Sequence, residues 1–247
     1  MSGITIIPLS AIGEVCPGED LADTLRRAVA AAGTVLAAGD ILVVTQKIVS
    51  KAEGRWVSLA DVQPGAEAVR LAEVTRKDAR LVELVLREST DVVRAVPHVL
   101  IVRHRLGLVM ANAGIDRSNI GAGDAERALL LPLDPDASAA RISTALGCPV
   151  VISDSFGRPW RMGVVAVGIG AAGLPAIDDR RGLLDRDGRA LEVTQIAVAD
   201  LLASAAALAM GEGGEGIPAV IVRGYGVDGA PRPAADLTRP LAEDLFQ

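Results

Sequence analysis

Apolar residues along the chain follow two spacings, one typical of helices and one typical of buried strands. Within residues 20–32, leucine and valine recur at every fourth position and Gly33 follows, which predicts an amphipathic helix that ends at this glycine. The apolar run in DILVVT, residues 40–45, predicts a buried strand. A first strand is predicted at TIIP, residues 5–8.

The rest of the chain mixes strand-like and helix-like segments without strict alternation. Further strands are predicted at residues 98–104, 107–112, 149–153, 163–170 and 217–224, and further helices from Pro64 towards Glu88, at 136–146 and at 192–210. This order predicts an α+β fold with mixed sheets and packed helices, and it argues against a doubly wound Rossmann fold.

Composition and charge exclude several classes of protein. Half of the 247 residues are apolar, which is enough for a well-buried core. The net charge of -6 argues against nucleic acid or an anionic membrane as a partner, because both require a basic surface. Neither a signal peptide nor an apolar run of membrane-spanning length is found, so we expect a cytoplasmic protein. Cys16 and Cys148 lack the number and spacing of a disulfide framework or a zinc site.

Side chains suited to chemistry gather in ISDSFGRPWRMG, residues 152–163. Asp154 and Ser155 follow a predicted strand, at a strand end where functional groups are common, although such a pair can also simply cap a turn. The next six residues contain Arg158, Arg161 and two of the chain's five aromatic residues. Because arginines bind carboxylate or phosphate and aromatic rings stack on flat ligands, we favour a functional loop.

Two further segments supply candidate ligands for phosphate and metal. TQKIVSK contains Lys47 and Lys51, whose ammonium groups suit phosphate oxygens, although two solvated lysines are an equal alternative. AGIDRSNIGAGD contains Asp116, a candidate oxygen ligand for Mg²⁺ or Mn²⁺, and Asn119, a candidate nucleotide contact. An exposed turn, in which these side chains bond their own backbone, is the alternative there.

Two glycine-rich segments are candidates for nucleotide binding. GEGGEG, residues 211–216, can be a plain helix end, but its glutamates would also suit a nucleotide bridged by a divalent cation. GIGAAG, residues 168–173, matches the dinucleotide fingerprint, yet a Leu-Pro pair and a polar stretch follow it where a helix is required. We favour a glycine-rich strand and turn, and keep an NAD(P)-dependent oxidoreductase as an alternative.

Four segments, in their order and at their distances, resemble the coenzyme F420-0:γ-glutamyl ligase family. They are GDILVVTQKIVSKAEGR, ANAGIDRSNI, VVISDSFGRPWRMG and MGEGGEGIPA. The resemblance covers nearly the whole chain and implies one ligase unit over residues 1–247, which could divide into two intertwined α+β subdomains. It also implies an intertwined homodimer. Some actinobacterial relatives carry a second, nitroreductase-like flavin domain. This chain ends at AEDLFQ without one, so we expect no flavin binding.

The resemblance also implies an activity. Members of the family use GTP and a divalent metal, Mg²⁺ or Mn²⁺, to add L-glutamate to coenzyme F420-0 and then extend the tail through γ-glutamyl links. The substrate carboxylate is expected to take the γ-phosphoryl group, and the resulting acyl phosphate is attacked by the glutamate amine, with release of GDP and phosphate. K⁺ is a further candidate ion. A non-catalytic nucleotide-binding switch is the second alternative.

The family's site residues are carried over position by position. Two metal ions are expected on Asp116, Asp154, Ser155 and Glu212. The expected nucleotide-binding residues are Ser10, Ala11, Ile12, Gly13, Gln46, Lys47, Lys51, Asn119, Met210, Gly211, Glu212, Gly213, Gly214, Glu215, Gly216 and Ile217. Lys51, Arg158 and Arg161 are the expected catalytic basic residues. From residue chemistry alone, we expect the two arginines to bind the glutamate carboxylate or the substrate phosphate, and Trp160 to stack on an aromatic ring.

Overall fold

The protein combines helices with mixed β-sheets, as a computed structural model that describes residues 3–118 and 126–244 shows. The strands are β1 (Thr5–Pro8), β2 (Ile41–Thr45), β3 (Trp56–Ser58), β4 (Ser89–Val96), β5 (Val99–His104), β6 (Val109–Ala111), β7 (Arg127–Leu129), β8 (Val150–Arg158), β9 (Arg161–Ala172), β10 (Ile177–Asp179), β11 (Gln195–Ala197) and β12 (Ala219–Arg223). The helices are α1 (Leu21–Ala31), α2 (Gln46–Ala52), α3 (Ala66–Thr75), α4 (Ala79–Arg87), α5 (Pro135–Leu146) and α6 (Val198–Met210). The predicted α+β class is confirmed. Within the described ranges, no helix is long and apolar enough to span a membrane.

A five-stranded sheet in the order β1-β12-β2-β8-β9 forms the centre of the molecule. In this sheet β2 and β8 are parallel neighbours, and the other pairs are antiparallel. Successive side chains of β2 point to opposite faces, so Leu42 and Val44 pack with α1 and α5, whereas Ile41 and Val43 pack with α6. Helices therefore cover both faces, which explains the unbroken apolar run of this strand.

The predicted helix at 20–32 is confirmed as α1. It begins after Asp20, whose side chain accepts the N–H of Asp23 and caps the helix. The helical stretch predicted before Glu88 is two helices, α3 and α4, separated at Arg76, which has a left-handed φ of 55°. The helix predicted from residue 192 begins only at Val198, since the three residues before it pair with β10 as strand β11.

A second group of elements, α3, α4 and the sheet β4-β5-β6, encloses a polar cluster beside its own apolar core. Glu88 Oε2 lies 3.1 Å from Arg55 Nη2, 3.2 Å from Arg105 Nε and 3.6 Å from Nε2 of the fully buried His104. Burial alone would raise the pKa of Glu88, but His104 and the charges of Arg55 and Arg105 outweigh burial and lower this pKa to about 2. The cluster therefore stabilises the ionised carboxylate.

Candidate functional site

The strand order of the main sheet brings three separate segments together at one end of its strands, which we call the site edge. Thr45, the last residue of β2, lies opposite Ser153 of the parallel strand β8. The strand predicted at 149–153 continues beyond this pair to Arg158, because it pairs with β9, so Ser153 marks only the end of its pairing with β2. β12 is antiparallel to β2, with Ala219 opposite Val44, and therefore begins at the same edge. Helix α2, the Asp154-Ser155 pair and the glycine-rich segment before β12 meet there as a result.

A cavity of about 900 Å³ opens at this edge and falls in the size range of small-molecule sites. Most of the predicted site residues line it: Ile12, Gly13, Gln46, Lys47, Lys51, Asp116, Asp154, Ser155, Met210, Gly211, Glu212, Gly213, Gly214, Gly216 and Ile217. Ser10, Ala11 and Glu215 do not line the cavity, and Asn119 lies outside the described residues. One cavity thus unites residues that were predicted from several distant segments.

Four carboxylates line the cavity, and the charges of three of them, Asp116, Asp154 and Glu212, act on one another. Burial raises the pKa of Asp154 to about 7, and the charges of Asp116 and Glu212 add to this effect. Burial also raises the pKa of Asp116, although Lys47 and Gln46 act in the opposite direction. Mutually repelling carboxylates with raised pKa values are typical of functional sites, and a bound cation would relieve the repulsion.

The chemistry of the donor set fits a hard divalent cation. Carboxylates and the Ser155 hydroxyl are oxygen ligands of the kind that Mg²⁺ and Mn²⁺ prefer. In the part of the chain that the structure describes, no three His, Cys, Asp or Glu side chains form a complete metal-binding group. Ser155 Oγ donates instead to Glu212 Oε1 at 2.5 Å. A carboxylate has about four lone-pair positions, so this bond leaves acceptor capacity for a cation.

Lys47 and Lys51 both belong to α2 but have different partners. Lys47 Nζ lies 3.4 Å from Asp116 Oδ1 and donates to the carbonyl of Ser118 at 3.1 Å. The side chain of Lys51 is only 6% exposed, and its Nζ donates to Glu14 Oε1 at 2.6 Å. Glu14 directly follows the N-terminal loop that we predicted to bind nucleotide. A phosphate oxygen that binds Lys51 would therefore compete with this carboxylate.

The glycine-rich segment contains an internal carboxylate contact of the same kind. Helix α6 ends at Met210, and Gly211 follows with a φ of 68°. Glu215 turns back along the segment, and its Oε2 accepts the N–H of Gly213 at 2.8 Å. A Cβ on Gly211 would collide with the Glu215 side chain. Glu215 thus bonds an amide in the loop that we expected to meet phosphate.

The β8–β9 hairpin carries the predicted basic and aromatic side chains beyond the cavity. Arg158 lies opposite Arg161 near the hairpin tip, and neither residue lines the cavity. Nη1 of Arg158 is buried and has no hydrogen-bond partner among the described residues. Trp160, with a φ of 56°, is 85% exposed. The stem of this hairpin carries Asp154, so Arg158, Arg161 and one carboxylate of the acidic cluster lie on the same two strands.

GIGAAG lies in strand β9 and the turn that follows it. Gly168 N donates to Asp200 Oδ1 at 2.9 Å, and a Cβ at Gly168 would lie 2.6 Å from Ala199 Cβ. A Cβ at Gly170 would lie 2.5 Å from the carbonyl carbon of Pro135. Glycine at both positions lets α5 and α6 approach the strand closely, and the strand predicted at 163–170 is confirmed.

The sequence motifs did not reveal every residue of the site. Glu14 and Ser50 were missed, although Ser50 Oγ donates to Gln46 Oε1 at 2.9 Å. The separation of four residues between Gln46 and Ser50 is the signal that could have identified this pair, because such residues face each other once α2 is helical. Glu14 had no signal beyond its position next to Gly13.

Comparison with known proteins settles which family this site belongs to. A family model described as F420-0:Gamma-glutamyl ligase matches residues 11–224. The chain belongs to the F420-0:γ-glutamyl ligase family. Its relatives include three proteins named coenzyme F420:L-glutamate ligase. That of Methanothermobacter thermautotrophicus is 44% identical over 256 residues, with 99% of each chain covered. That of Methanopyrus kandleri is 42% identical, with coverage of 99% of this chain and 98% of the relative. That of Natronomonas pharaonis is 47% identical over 223 residues, with coverage of 88% and 85%.

The predicted resemblance to the F420-0:γ-glutamyl ligase family is therefore confirmed. Membership identifies the chain as an enzyme of the ligase class that forms amide bonds.

Proposed function

We propose that this ligase adds L-glutamate to coenzyme F420-0 and extends the tail through γ-glutamyl links at the expense of GTP. Family membership and the names of the relatives support the substrates. The observation that carries the proposal for this chain is the cavity in which Asp116, Asp154 and Glu212 meet Lys47 and Lys51. Carboxylates and ammonium groups together suit a nucleotide phosphate that is accompanied by metal.

The residues of the cavity divide into two sets in this proposal. Asp116, Asp154, Ser155 and Glu212 would hold Mg²⁺ or Mn²⁺, with K⁺ as a further candidate ion. Such cations, when bound, neutralise the charge of the transferring phosphoryl group. The N-terminal loop at 10–13, the segment at 210–217 and Lys51 would bind the nucleotide, and Lys51 would exchange Glu14 for a phosphate oxygen.

The reaction has two proposed steps. A carboxylate oxygen of F420-0 attacks the γ-phosphorus of GTP, and the bond from this phosphorus to the bridging oxygen breaks, which releases GDP and leaves an acyl phosphate. The neutral amine of L-glutamate then attacks the acyl carbon, phosphate leaves with the acyl oxygen, and the amine nitrogen loses a proton. Lys47 and Lys51 stabilise the phosphoryl charge, while Arg158 and Arg161 orient a carboxylate or phosphate of the substrates.

Mass spectrometry of F420-0 tests this function. After incubation with the enzyme, GTP, L-glutamate and Mg²⁺ or Mn²⁺, we expect whole-glutamate mass increments, which disappear when GTP or the metal is omitted. Asp154→Asn should lose the increments because the acidic cluster loses a charge. Asp185→Asn, a change in an exposed turn away from the cavity, should keep them. An unchanged substrate in the complete mixture would refute the proposal. If GTP binds but F420-0 and glutamate do not stimulate its turnover, the result would favour the nucleotide switch.

We also propose that the enzyme is a homodimer. Near the hairpin tip, Trp160 and Met162 are 85% and 97% exposed, and β9 is an edge strand of the main sheet. Exposed apolar side chains on an unpaired strand edge are typical of an interface. Sedimentation equilibrium should give the mass of two chains, and Met162→Asp should weaken the association. A wild-type mass of one chain at micromolar concentration would contradict this proposal.

A further inference from the structure

Gln46, the first residue of α2, is engaged at both ends of its side-chain amide. The residue is only 3% exposed. Its Nε2 donates to Asp116 Oδ2 at 2.7 Å, and its Oε1 accepts from Ser50 Oγ at 2.9 Å. Ser50 is fully buried. A buried serine one turn further along the helix thus anchors the amide that contacts the carboxylate.

The two partners determine which way the amide of Gln46 points. An ionised Asp116 can only accept hydrogen bonds, so it requires the NH₂ end. The hydroxyl of Ser50 then donates to the carbonyl end. The reversed amide would place Oε1 against the carboxylate and leave the buried NH₂ group without this acceptor, which is unfavourable.

Asp116 is held by its main chain and its side chain together. Its backbone N donates to the carbonyl of Leu129 at 2.9 Å, and Leu129 N donates back to the carbonyl of Asp116 at 3.0 Å. On the side chain, Gln46 contacts Oδ2, and Nζ of Lys47 lies 3.4 Å from Oδ1. The first two residues of α2 therefore hold one carboxylate oxygen each, and only one of these residues is charged.

We propose that Gln46 is a positioning residue, whose side chain holds Asp116 in place for a divalent cation instead of contacting the nucleotide as the family resemblance implied. The inference rests on the proposed metal-dependent function. A neutral amide suits this role because it restricts rotation of the carboxylate without cancelling its charge. Hydrogen-bonded partners of ligating carboxylates orient the ligand in this way, and Ser50 in turn orients Gln46.

Binding of Mn²⁺ to the enzyme without nucleotide tests the role directly, with the free Mn²⁺ measured by electron paramagnetic resonance. Gln46→Met keeps a side chain of similar length but removes both hydrogen bonds, and we expect the Kd for Mn²⁺ to rise roughly 10- to 100-fold. Ser50→Ala should raise it less, because Gln46 remains. Ser138→Ala removes another buried serine hydroxyl, one that bonds Glu53, and should leave the Kd unchanged.

Nucleotide binding in the presence of a chelator separates this role from a direct contact. We expect the affinity of Gln46→Met for GDP, measured in EDTA, to equal that of the wild type. Unchanged Mn²⁺ affinity together with weaker GDP binding would overturn the proposal. If Gln46→Met does not fold, Gln46→Asn, whose amide is one carbon too short to keep both bonds, and Ser50→Ala decide the question by the same readouts. Absence of Mn²⁺ binding by the wild-type enzyme would overturn the proposed metal site together with the role of Gln46, whereas equal Mn²⁺ binding by wild type and variant would overturn that role alone.

Discussion

Replacement of Glu88 by glutamine should lower stability at neutral pH and make stability less sensitive to acid. The side chain of Glu88 is 14% exposed and lies beside Arg55, Arg105 and His104. Leu106 N donates to Nδ1 of His104, so Nδ1 acts as an acceptor and Nε2 is the ring nitrogen that faces Glu88. The amide of the Glu88→Gln variant would resemble the protonated acid permanently, and the two guanidinium groups would lose their anionic partner.

The magnitude follows from the pKa of Glu88, which falls from 4.5 in an unperturbed side chain to about 2. This difference corresponds to roughly 3 kcal/mol of folding free energy. Since the folded-state pKa is lowered, the contribution is complete above pH 5 and is lost as the pH falls from about 5 towards 2. At pH 3, roughly 1 to 2 kcal/mol should remain.

Urea denaturation of wild type and Glu88→Gln at several pH values between 7 and 3 measures this contribution. Other acidic groups titrate in the same range, but they do so in both proteins, so the difference in free energy of unfolding isolates Glu88. We expect the difference to be about 3 kcal/mol at pH 7 and to shrink by about half at pH 3. A difference below about 1 kcal/mol at pH 7, or one that stays constant with pH, would show that the charge of Glu88 does not stabilise the folded protein.

Two further predictions concern the glycine-rich strand and the N-terminal loop. Gly170→Ala should destabilise the protein by about 1 to 3 kcal/mol, because its Cβ would collide with the backbone of α5, whereas Gly226→Ala, with open space around it, should be nearly neutral in the same denaturation assay. Equal stabilities would contradict this packing. Glu14→Gln should tighten GDP binding up to about fivefold in calorimetry, since an exposed carboxylate no longer competes for Lys51. Weaker binding would show that Glu14 assists the nucleotide.

The pattern of apolar residues predicted the elements in which that pattern is regular or unbroken, such as α1 and β2. Helix α1 combines regular leucine spacing with an Asp cap and a final glycine, so all its signals agree. The break at Arg76 carries no glycine or proline, and its local signal is Asp78, whose side chain accepts the N–H of Arg80 and caps the start of α4. Strand β11 was read as helix because only its antiparallel partner β10, sixteen or more residues away, makes it a strand.

The candidate site was predictable where polar residues follow a buried apolar run, as Asp154 and Ser155 do. The hydrogen-bond and charge partners of such residues were not predictable, because they depend on distances between segments that are far apart in the sequence. Gln46 and Lys47 follow the same strand, yet only the fold places Asp116 beside both. Likewise, only the fold shows that Glu215 does not line the cavity, because its side chain turns back onto the N–H of Gly213.

The position of β12 between β1 and β2 has a consequence for synthesis of the protein. β1 has β12 as its partner in the main sheet, and β12 is the last strand of that sheet to be made. During translation, the first two strands emerge with apolar side chains and unpaired edges long before the strand that joins them exists. Completion of the central sheet must therefore wait until β12 has been made, and until then the edges of β1 and β2 remain open to aggregation.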